Sequence, residues 1–354
     1  MTKAELDSIK ILPLEDSWYR KVKEKLDGIA KPLDGLGKFE HLIAQIGAIE
    51  KTTKISIQKK AVLVMCADNG VVEEQVSQSG KEVTLAVAKA MGVNNSSVGK
   101  MAAVAGMDVI PVDIGIDTDE VIPGVLPRKV AKGTKNFAKE PAMTEEEVLK
   151  AIETGIQLVQ QCHREGYEIL ATGEMGIGNT TTSTAVAAAL LDLEVEQVTG
   201  KGAGLTDEAL ERKCRVIEEA IEKYSLRDAD AFTILKTVGG LDIAGLTGVF
   251  IGAAIEQIPV VIDGVISAVA ALLAETLCKG AVNYMIPSHK SRELAETAIM
   301  KKLHLDPVLD ADMALGEGTG AVMMMSLLDV ALGVYLQGAS FANFEIEQYK
   351  RYEE

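Results

Sequence analysis

A single carboxylate, Glu317, stands between glycines in Asp312-Met-Ala-Leu-Gly-Glu-Gly-Thr-Gly-Ala321, at the mouth of the apolar run Ala321-Val-Met-Met-Met-Ser-Leu-Leu328. Glycine lets backbone approach a ligand closely and reach conformations that other residues resist. A poorly hydrated acid in that setting has a raised pKa and takes up a proton near neutral pH, as a general base does. The same ten residues also fit a tight turn opening a buried helix, with Glu317 near the helix's positive end.

A second stretch, Gly173-Glu-Met-Gly-Ile-Gly-Asn-Thr-Thr-Thr182, leads into the helix-forming run Ser183-Thr-Ala-Val-Ala-Ala-Ala-Leu-Leu191. Strand, glycine turn, hydroxyl cluster and helix in that order aim free N–H groups and a helix N-terminus at one spot, which suits a phosphate. A plain Thr-rich helix cap is the structural alternative. No Gly-Lys-Ser or Gly-Lys-Thr closes the turn, so it is not a Walker A loop. Nor is it a dinucleotide fingerprint, because Gly176-Ile-Gly178 lacks the glycine three residues on, where Thr181 stands, and the turn does not follow the first strand, which disfavours a dehydrogenase.

A third turn, Gly200-Lys-Gly-Ala-Gly204, precedes a helix expected from near Thr206, and Lys213 lies about two turns into it. On its own, a mid-helix lysine in Glu211-Arg-Lys-Cys214 reads as a solvated side chain. Asp263, at a strand's carboxyl end, is placed to accept ribose hydroxyls or to cap the helix beginning at Gly264. Ser288-His-Lys-Ser291 ends another strand and offers phosphate donors or a further cap. A phosphate loop, a ribose-binding acid and a carboxylate base fit glycosyl transfer on a nucleotide monophosphate. That chemistry passes through an oxocarbenium-like state and needs its nucleophile deprotonated as it attacks. Two acids before a Thr-Gly-Gly-Thr turn, the mark of a phosphoribosyl-pyrophosphate site, are absent, so a pyrophosphate–magnesium donor is not expected.

These residues need a rigid frame, and the composition supplies one. Hydrophobic residues are 47% of the 354 and aromatics only 4%, so the interior is built from Ala, Val, Ile, Leu and 13 Met, a packed α/β composition. The formal net charge of −16 argues against nucleic acid, whose phosphates call for clustered Lys and Arg, but admits a small anion held by backbone amides. Cys66, Cys162, Cys214 and Cys278 are widely spaced, as are His41, His163, His289 and His304. Neither a zinc site nor a disulfide framework is legible, and no cofactor is expected. The opening residues lack an apolar h-region, and the longest apolar run, Val265 to Ala274, is too short for a bilayer. A soluble, cytoplasmic chain without a membrane partner is the expectation.

Short apolar runs alternate with helical patterns: Lys60–Ala67, Met107–Asp113, Glu168–Thr172, Pro259–Asp263 and Val282–Ile286. Each ends near Gly, Asp, Glu or Ser, and continuous apolar strands followed by helices describe a mostly parallel sheet covered on both faces. Ligands sit beyond the carboxyl ends of such strands. Ser17–Ile29 and Phe39–Lys51 read as amphipathic helices, and the last twenty-five residues as helical and charged. The two ends, 1–55 and 330–354, are expected to form a small helical domain beside a large α/β nucleotide-binding domain, 56–329.

At this point the chain resembles the nicotinate-nucleotide–dimethylbenzimidazole phosphoribosyltransferase family over nearly its whole length. The likeness runs through Lys31-Pro-Leu-Asp-Gly-Leu-Gly-Lys-Phe-Glu40, Ala67-Asp-Asn-Gly-Val71, Glu82-Val-Thr84, Gly133-Thr-Lys-Asn136 and Gly173 to Thr181. It continues through Gly200 to Leu205, Lys213, Val238-Gly-Gly-Leu-Asp-Ile-Ala244, Ile262-Asp-Gly264, Ser288 to Ser291 and Leu315 to Ala321. The resemblance implies a homodimer, each chain with a Rossmann-like domain and a small helical domain. It implies transfer of phosphoribose from nicotinate mononucleotide to an aromatic base of the cobamide lower ligand, releasing nicotinate and giving the α-riboside phosphate.

Carried over by position, Glu317 matches the general base, and Glu174, Lys213 and Asp263 match polar catalytic positions. Gly176, Gly178, Asn179 and Thr180, with Gly202, Gly204 and Ser291, match nucleotide and phosphate positions. Leu315, Gly316, Ser77, Ser79 and Ala86 match the remaining substrate-binding positions. The family pattern departs at Asn69, where it has His, at Ser79-Gly80 (Tyr-Pro), at Ala86 (Gln) and at Ala314 (Arg). Residues 69–86 fall where the family cradles its benzimidazole, and losing an aromatic and an amide there removes stacking area and a hydrogen-bond partner. Two readings stand: a transferase with an altered acceptor, a phenol included, or a partner subunit of a hetero-oligomer whose paralogue does the chemistry.

Overall fold

The computed structural model of the chain describes residues 1–202 and 204–351; Ala203 of the third glycine turn and 352–354 of the expected terminal unit lie outside the described residues. Six strands, β1 (Lys60–Ala67), β2 (Asp108–Gly115), β3 (Leu126–Pro127), β4 (Ile169–Met175), β5 (Val260–Ile262) and β6 (Met285–Pro287), form one sheet in the order β3-β2-β1-β4-β5-β6. Every pairing in it is parallel. The strand order reverses between β1 and β4, and beyond the carboxyl ends at such a reversal a crevice opens. β7 (His289–Ser291) and β8 (Leu309–Met313) pair separately in parallel beside it.

In chain order, α1 (Lys3–Asp7), α2 (Asp16–Asp27) and α3 (Lys38–Ile49) precede β1, and α4 (Glu82–Gly92) and α5 (Ser97–Ala105) join β1 to β2. α6 (Glu145–Arg164) leads to β4. α7 (Asn179–Leu191), α8 (Val195–Val198), α9 (Asp207–Lys223), α10 (Ala231–Val238) and α11 (Leu241–Glu256) fill the crossover to β5. α12 (Val265–Leu277), α13 (Leu294–Leu303) and α14 (Thr319–Gln337) complete the set. All eight residues of β1 are buried because both faces are covered. Ala61, Leu63 and Met65 point to the layer of α6, α7, α11 and α12, while Val62, Val64 and Cys66 point to that of α3, α5 and α14.

The α6–α11 contact is made backbone to backbone. A Cβ on Gly155 would lie 2.1 Å from the Gly245 carbonyl oxygen, and one on Gly248 would lie 2.0 Å from that of Ile152. Gly252 meets the Ile156 Cα in the same way. Only glycine permits this approach.

The terminal helices share their apolar cluster with the sheet, since Val22, Leu26 and Ile43 pack in the same body as Val62 and Val64. Ile29 bridges Ser340, and Arg351 reaches Asp27 and Asp34, so the two ends are tied together. The first residues lie elsewhere: Leu6 joins the opposite cluster, and the Leu12 carbonyl accepts the Tyr284 hydroxyl at 2.9 Å. The last twenty-five residues are helical only in part. α14 stops at Gln337, because Gly338 turns the chain to bridge Ile29, and a single 3-10 turn, Phe341–Phe344, follows. By length and composition α14 resembles a membrane span, with mean hydropathy 1.7, yet over half of it (56%) is buried within the protein.

Candidate active site

Two glycine turns build the two sides of the crevice. At the end of β4, Gly176-Ile177-Gly178 turns the chain into α7, with Gly178 at φ 92°. A Cβ there would lie 2.7 Å from Val72, so both the angle and the space call for glycine. No side chain caps α7; the N–H groups of Asn179 and Thr181 bond back to Gly176 and Gly178, and Asn179 and Thr180 line the crevice. Thr180 accepts a hydrogen bond from Lys213 Nζ at 3.0 Å, and the same ammonium group donates to the Gly200 carbonyl, also at 3.0 Å. This open helix start, backed by a cation, is suited to an anion.

Lys213 is fully buried, and burial pulls its pKa down to about 8. The solvated lysine expected from Glu211-Arg-Lys-Cys214 is thus overturned. The reason lies in the helix period: Ala209, Val216, Ile217, Ala220 and Ile221 are the buried residues of α9, and position 213 falls on their stripe. That spacing was the signal in the sequence.

The second turn follows β8. Gly316, Glu317 and Gly318 all have positive φ, at 81°, 61° and 91°. Holding a glutamate there costs on the order of 1 kcal/mol, so its surroundings must fix it. They do so from three sides. Asp263 accepts the N–H groups of Gly318 at 3.1 Å and Ala321 at 3.0 Å. β4 passes so close beneath that a Cβ on Gly173 would lie 2.6 Å from the Glu317 carbonyl oxygen. The Glu317 carboxylate accepts the Val98 N–H in the first turn of α5 at 3.0 Å.

Asp263 therefore caps α14, not the helix that follows it in sequence. The start of α12 has no side-chain cap, and its residues Val265 to Ser267 line the crevice. Burial pushes the Asp263 carboxyl up and the neighbouring His289 imidazole down. Gly320 lets that imidazole in, since a Cβ on it would lie 2.0 Å from His289 Nδ1.

Glu317 is half-buried at the mouth of the crevice, whereas Glu174, like Asp263, is a buried acid of its wall. Burial first, then the nearby Asp242 carboxylate, pushes Glu174 up to about 8. Its carboxylate accepts the Asn179 side-chain amide, which also donates to Asp242 at 3.2 Å.

The crevice encloses about 280 Å³. Of the residues expected from sequence, it brings together Glu317, Glu174, Asp263, Gly176, Asn179, Thr180, Gly202, Ser291, Leu315 and Gly316. Gly178, Gly204 and Ser77 line an adjoining hollow of about 80 Å³ that shares the α7 turn. Ser79 and Ala86 line neither; α4 turns Ala86 to solvent and puts Val87 on the crevice wall. The wall also holds His289 and Glu293, and Asp242 stands behind it. The sequence hint for Asp242 was an acid directly after Gly239-Gly240-Leu241 at a helix start.

A phosphoribosyltransferase family model matches residues 11–346. The nicotinate-nucleotide–dimethylbenzimidazole phosphoribosyltransferase of Clostridium acetobutylicum is 43% identical over 337 residues, 95% of this chain and 96% of that one. That of Acetivibrio thermocellus is 44% identical over 329 residues, 93% of this chain and 94% of its own length. The crystal structure of CobT from Thermus thermophilus superposes with a TM-score of 0.89 at 34% identity, covering 94% of this chain and 100% of that one. None of these relatives is described as a partner subunit, and the hetero-oligomer reading finds no support in them. A phosphate-suited helix start, a carboxylate held opposite it and likeness along the whole chain agree: this protein belongs to the nicotinate-nucleotide–dimethylbenzimidazole phosphoribosyltransferase family.

Proposed function

We propose that this phosphoribosyltransferase moves phosphoribose from nicotinate mononucleotide to an aromatic base, releasing nicotinate and forming the α-riboside phosphate of the cobamide nucleotide loop. The observation that carries the reading is the facing of two glycine turns across one crevice, one open to an anion and one presenting Glu317. In this reading the nucleotide phosphate sits on the N–H groups of α7, with Lys213 holding Thr180 in place. The bond between ribose and the nicotinate ring nitrogen breaks, and its electron pair leaves with nicotinate. The acceptor attacks the ribose from the opposite face, and Glu317 takes its proton as the new bond forms. Asp263 serves by positioning, because its oxygens are engaged with α14.

The acceptor side of the crevice is apolar, with Val87, Ile266, Ala314 and Leu315 on the wall. A benzimidazole attacks through its unprotonated ring nitrogen and must turn the N–H of the other toward Glu317, so both nitrogens need a set placement. A phenol attacks through the same oxygen that carries the proton and asks for one placement only. We therefore add phenols to the acceptors proposed for this chain. The test is nicotinate release from nicotinate mononucleotide against a panel of benzimidazoles, purines and phenols. Turnover with dimethylbenzimidazole but none with phenol or cresol rejects the phenol arm, and no release with any acceptor rejects the whole reading. Assembly as a homodimer belongs to the proposal on resemblance alone, and molar mass in solution decides it.

A further inference from the structure

Asp242 lies in the first turn of α11, is 0% exposed and does not line the crevice. One of its oxygens accepts the Ile243 N–H at 3.0 Å, and the other accepts the Asn179 amide at 3.2 Å. That single amide nitrogen also serves Glu174, which is 7% exposed and does face the crevice. Two nearly dry carboxylates thus meet at one amide nitrogen, which turns an N–H to each. On the far side of Asp242 stands the Asn69 carbonyl oxygen, buried and without a partner. It lies beside an Asp242 oxygen, both within 2.6 Å of the point where a Gly240 Cβ would sit. Asn69 thus sets a lone pair beside one Asp242 oxygen, while its amide group, near the other oxygen, hydrogen-bonds Asp242 and opposes the rise in its pKa.

The titratable groups acting on the pair from neighbouring elements are Asp263 after β5, Glu317 before α14 and the Cys66 thiol of β1. None of these is a cation. Lys213 is engaged with Thr180 and Gly200, and the His289 ring acts on Asp263. Two like charges cannot both persist at this range away from water, and a proton taken up belongs to the pair.

We propose that Asp242 is a positioning residue: with Glu174 it holds one proton across Asn179, so that Glu174 meets the bound nucleotide as a hydrogen-bond donor. The inference rests on the phosphoribosyl-transfer reading. A neutral acid at this place donates to a ribose oxygen and does not repel the incoming phosphate. The directions of titration agree, with Glu174 raised to about 8 and Asp242 to about 6, burial being the first cause in both.

The test pairs an infrared measurement with a pH profile on the full-length protein. Near neutral pH the parent shows the carbonyl stretch of a protonated, buried carboxyl group. In difference spectra against the parent, which cancel the other raised acids Glu50 and Glu296, Glu174→Gln removes the pair's band, and Asp242→Asn weakens it, because Glu174 without a like charge beside it ionises nearer neutrality. In turnover, the alkaline limb of nicotinate release, expected near pH 8 in the parent, moves toward neutrality by roughly one pH unit in Asp242→Asn. A merely structural role would lower the rate at every pH and leave the limb in place, which overturns the proposal. Should Asp242→Asn fail to fold, Glu174→Gln decides alone: a permanently neutral donor flattens the alkaline limb, and an unchanged limb overturns the proposal. The infrared band needs no turnover. Its absence from the parent sinks the shared proton, whereas a band with no nicotinate release sinks the transfer reading instead.

Discussion

The turns before α7 and α14 are nearly the same piece of backbone put to opposite uses. Each follows a strand, each sets a glycine at the helix start with φ close to 90° (92° at Gly178, 91° at Gly318), and neither helix carries a cap of its own. They differ in what meets the free N–H groups. At α14 an internal anion, Asp263, already fills the place. At α7 the N–H groups of Asn179 and Thr181 bond back into the turn, but no carboxylate meets that of Thr180, and hydroxyls and Lys213 stand around it. A helix start satisfied from within becomes scaffold, and here it holds Glu317 steady. One left unsatisfied keeps its attraction for a ligand.

The sharpest way to break the comparison is to disarm the filled turn. Glu317→Gln keeps the shape and removes the base, so nicotinate release falls by about 10²–10⁴, while nucleotide binding by calorimetry stays near the parent value. Equal loss of both measures would deny Glu317 a role in proton transfer. Emptying the filled turn comes next. Asp263→Ala strands the N–H groups of Gly318 and Ala321, and the denaturant midpoint drops by the equivalent of about 3 kcal/mol. An unchanged midpoint means that the α14 cap contributes nothing.

Weakening the open turn has a smaller effect of a different kind. Lys213→Met keeps the buried stem but drops the donor to Thr180. The KM for nicotinate mononucleotide rises by roughly ten- to a hundredfold, with kcat less affected, because the donor supports binding of the phosphate. A loss confined to kcat contradicts that assignment.

The smallest effect is on stability against pH without substrate. Glu174 has a folded pKa of about 8 against an ordinary 4.5, so the folded state binds the extra proton between these values. Its contribution is present below the ordinary value and is lost as pH rises through the folded one. Glu174→Gln, which cannot titrate, flattens that decline by about 1 kcal/mol or more across the window. Denaturant melts at a series of pH values read the slope, and an identical slope in parent and variant denies burial-driven protonation of Glu174.

The sheet was legible because its strands are buried on both faces and read as unbroken apolar runs, as in Lys60–Ala67. Both glycine turns were legible because glycine at a strand's end has few other uses. What escaped was everything fixed by partners far along the chain. Nothing near Asp263 in sequence says that it caps a helix starting some fifty residues later. The burial of Lys213 was written in the spacing of α9, but lysine's usual liking for water hid it. The same holds for Asp242, whose neighbours Asn69 and Asn179 come from separate crossovers. At the end of the chain, composition suggested helix, and a glycine together with a bridge to Ile29 decided otherwise.

The glycine-lined seam between α6 and α11 reaches further than its own packing. Where two main chains already touch, neither can slide aside to absorb an added methyl group. A Gly155→Ala change, far from the crevice and in contact with no substrate, must therefore push the whole of α11 outward, and Asp242 with it. Its signature would be a displaced acidity profile and not a weaker grip on the nucleotide.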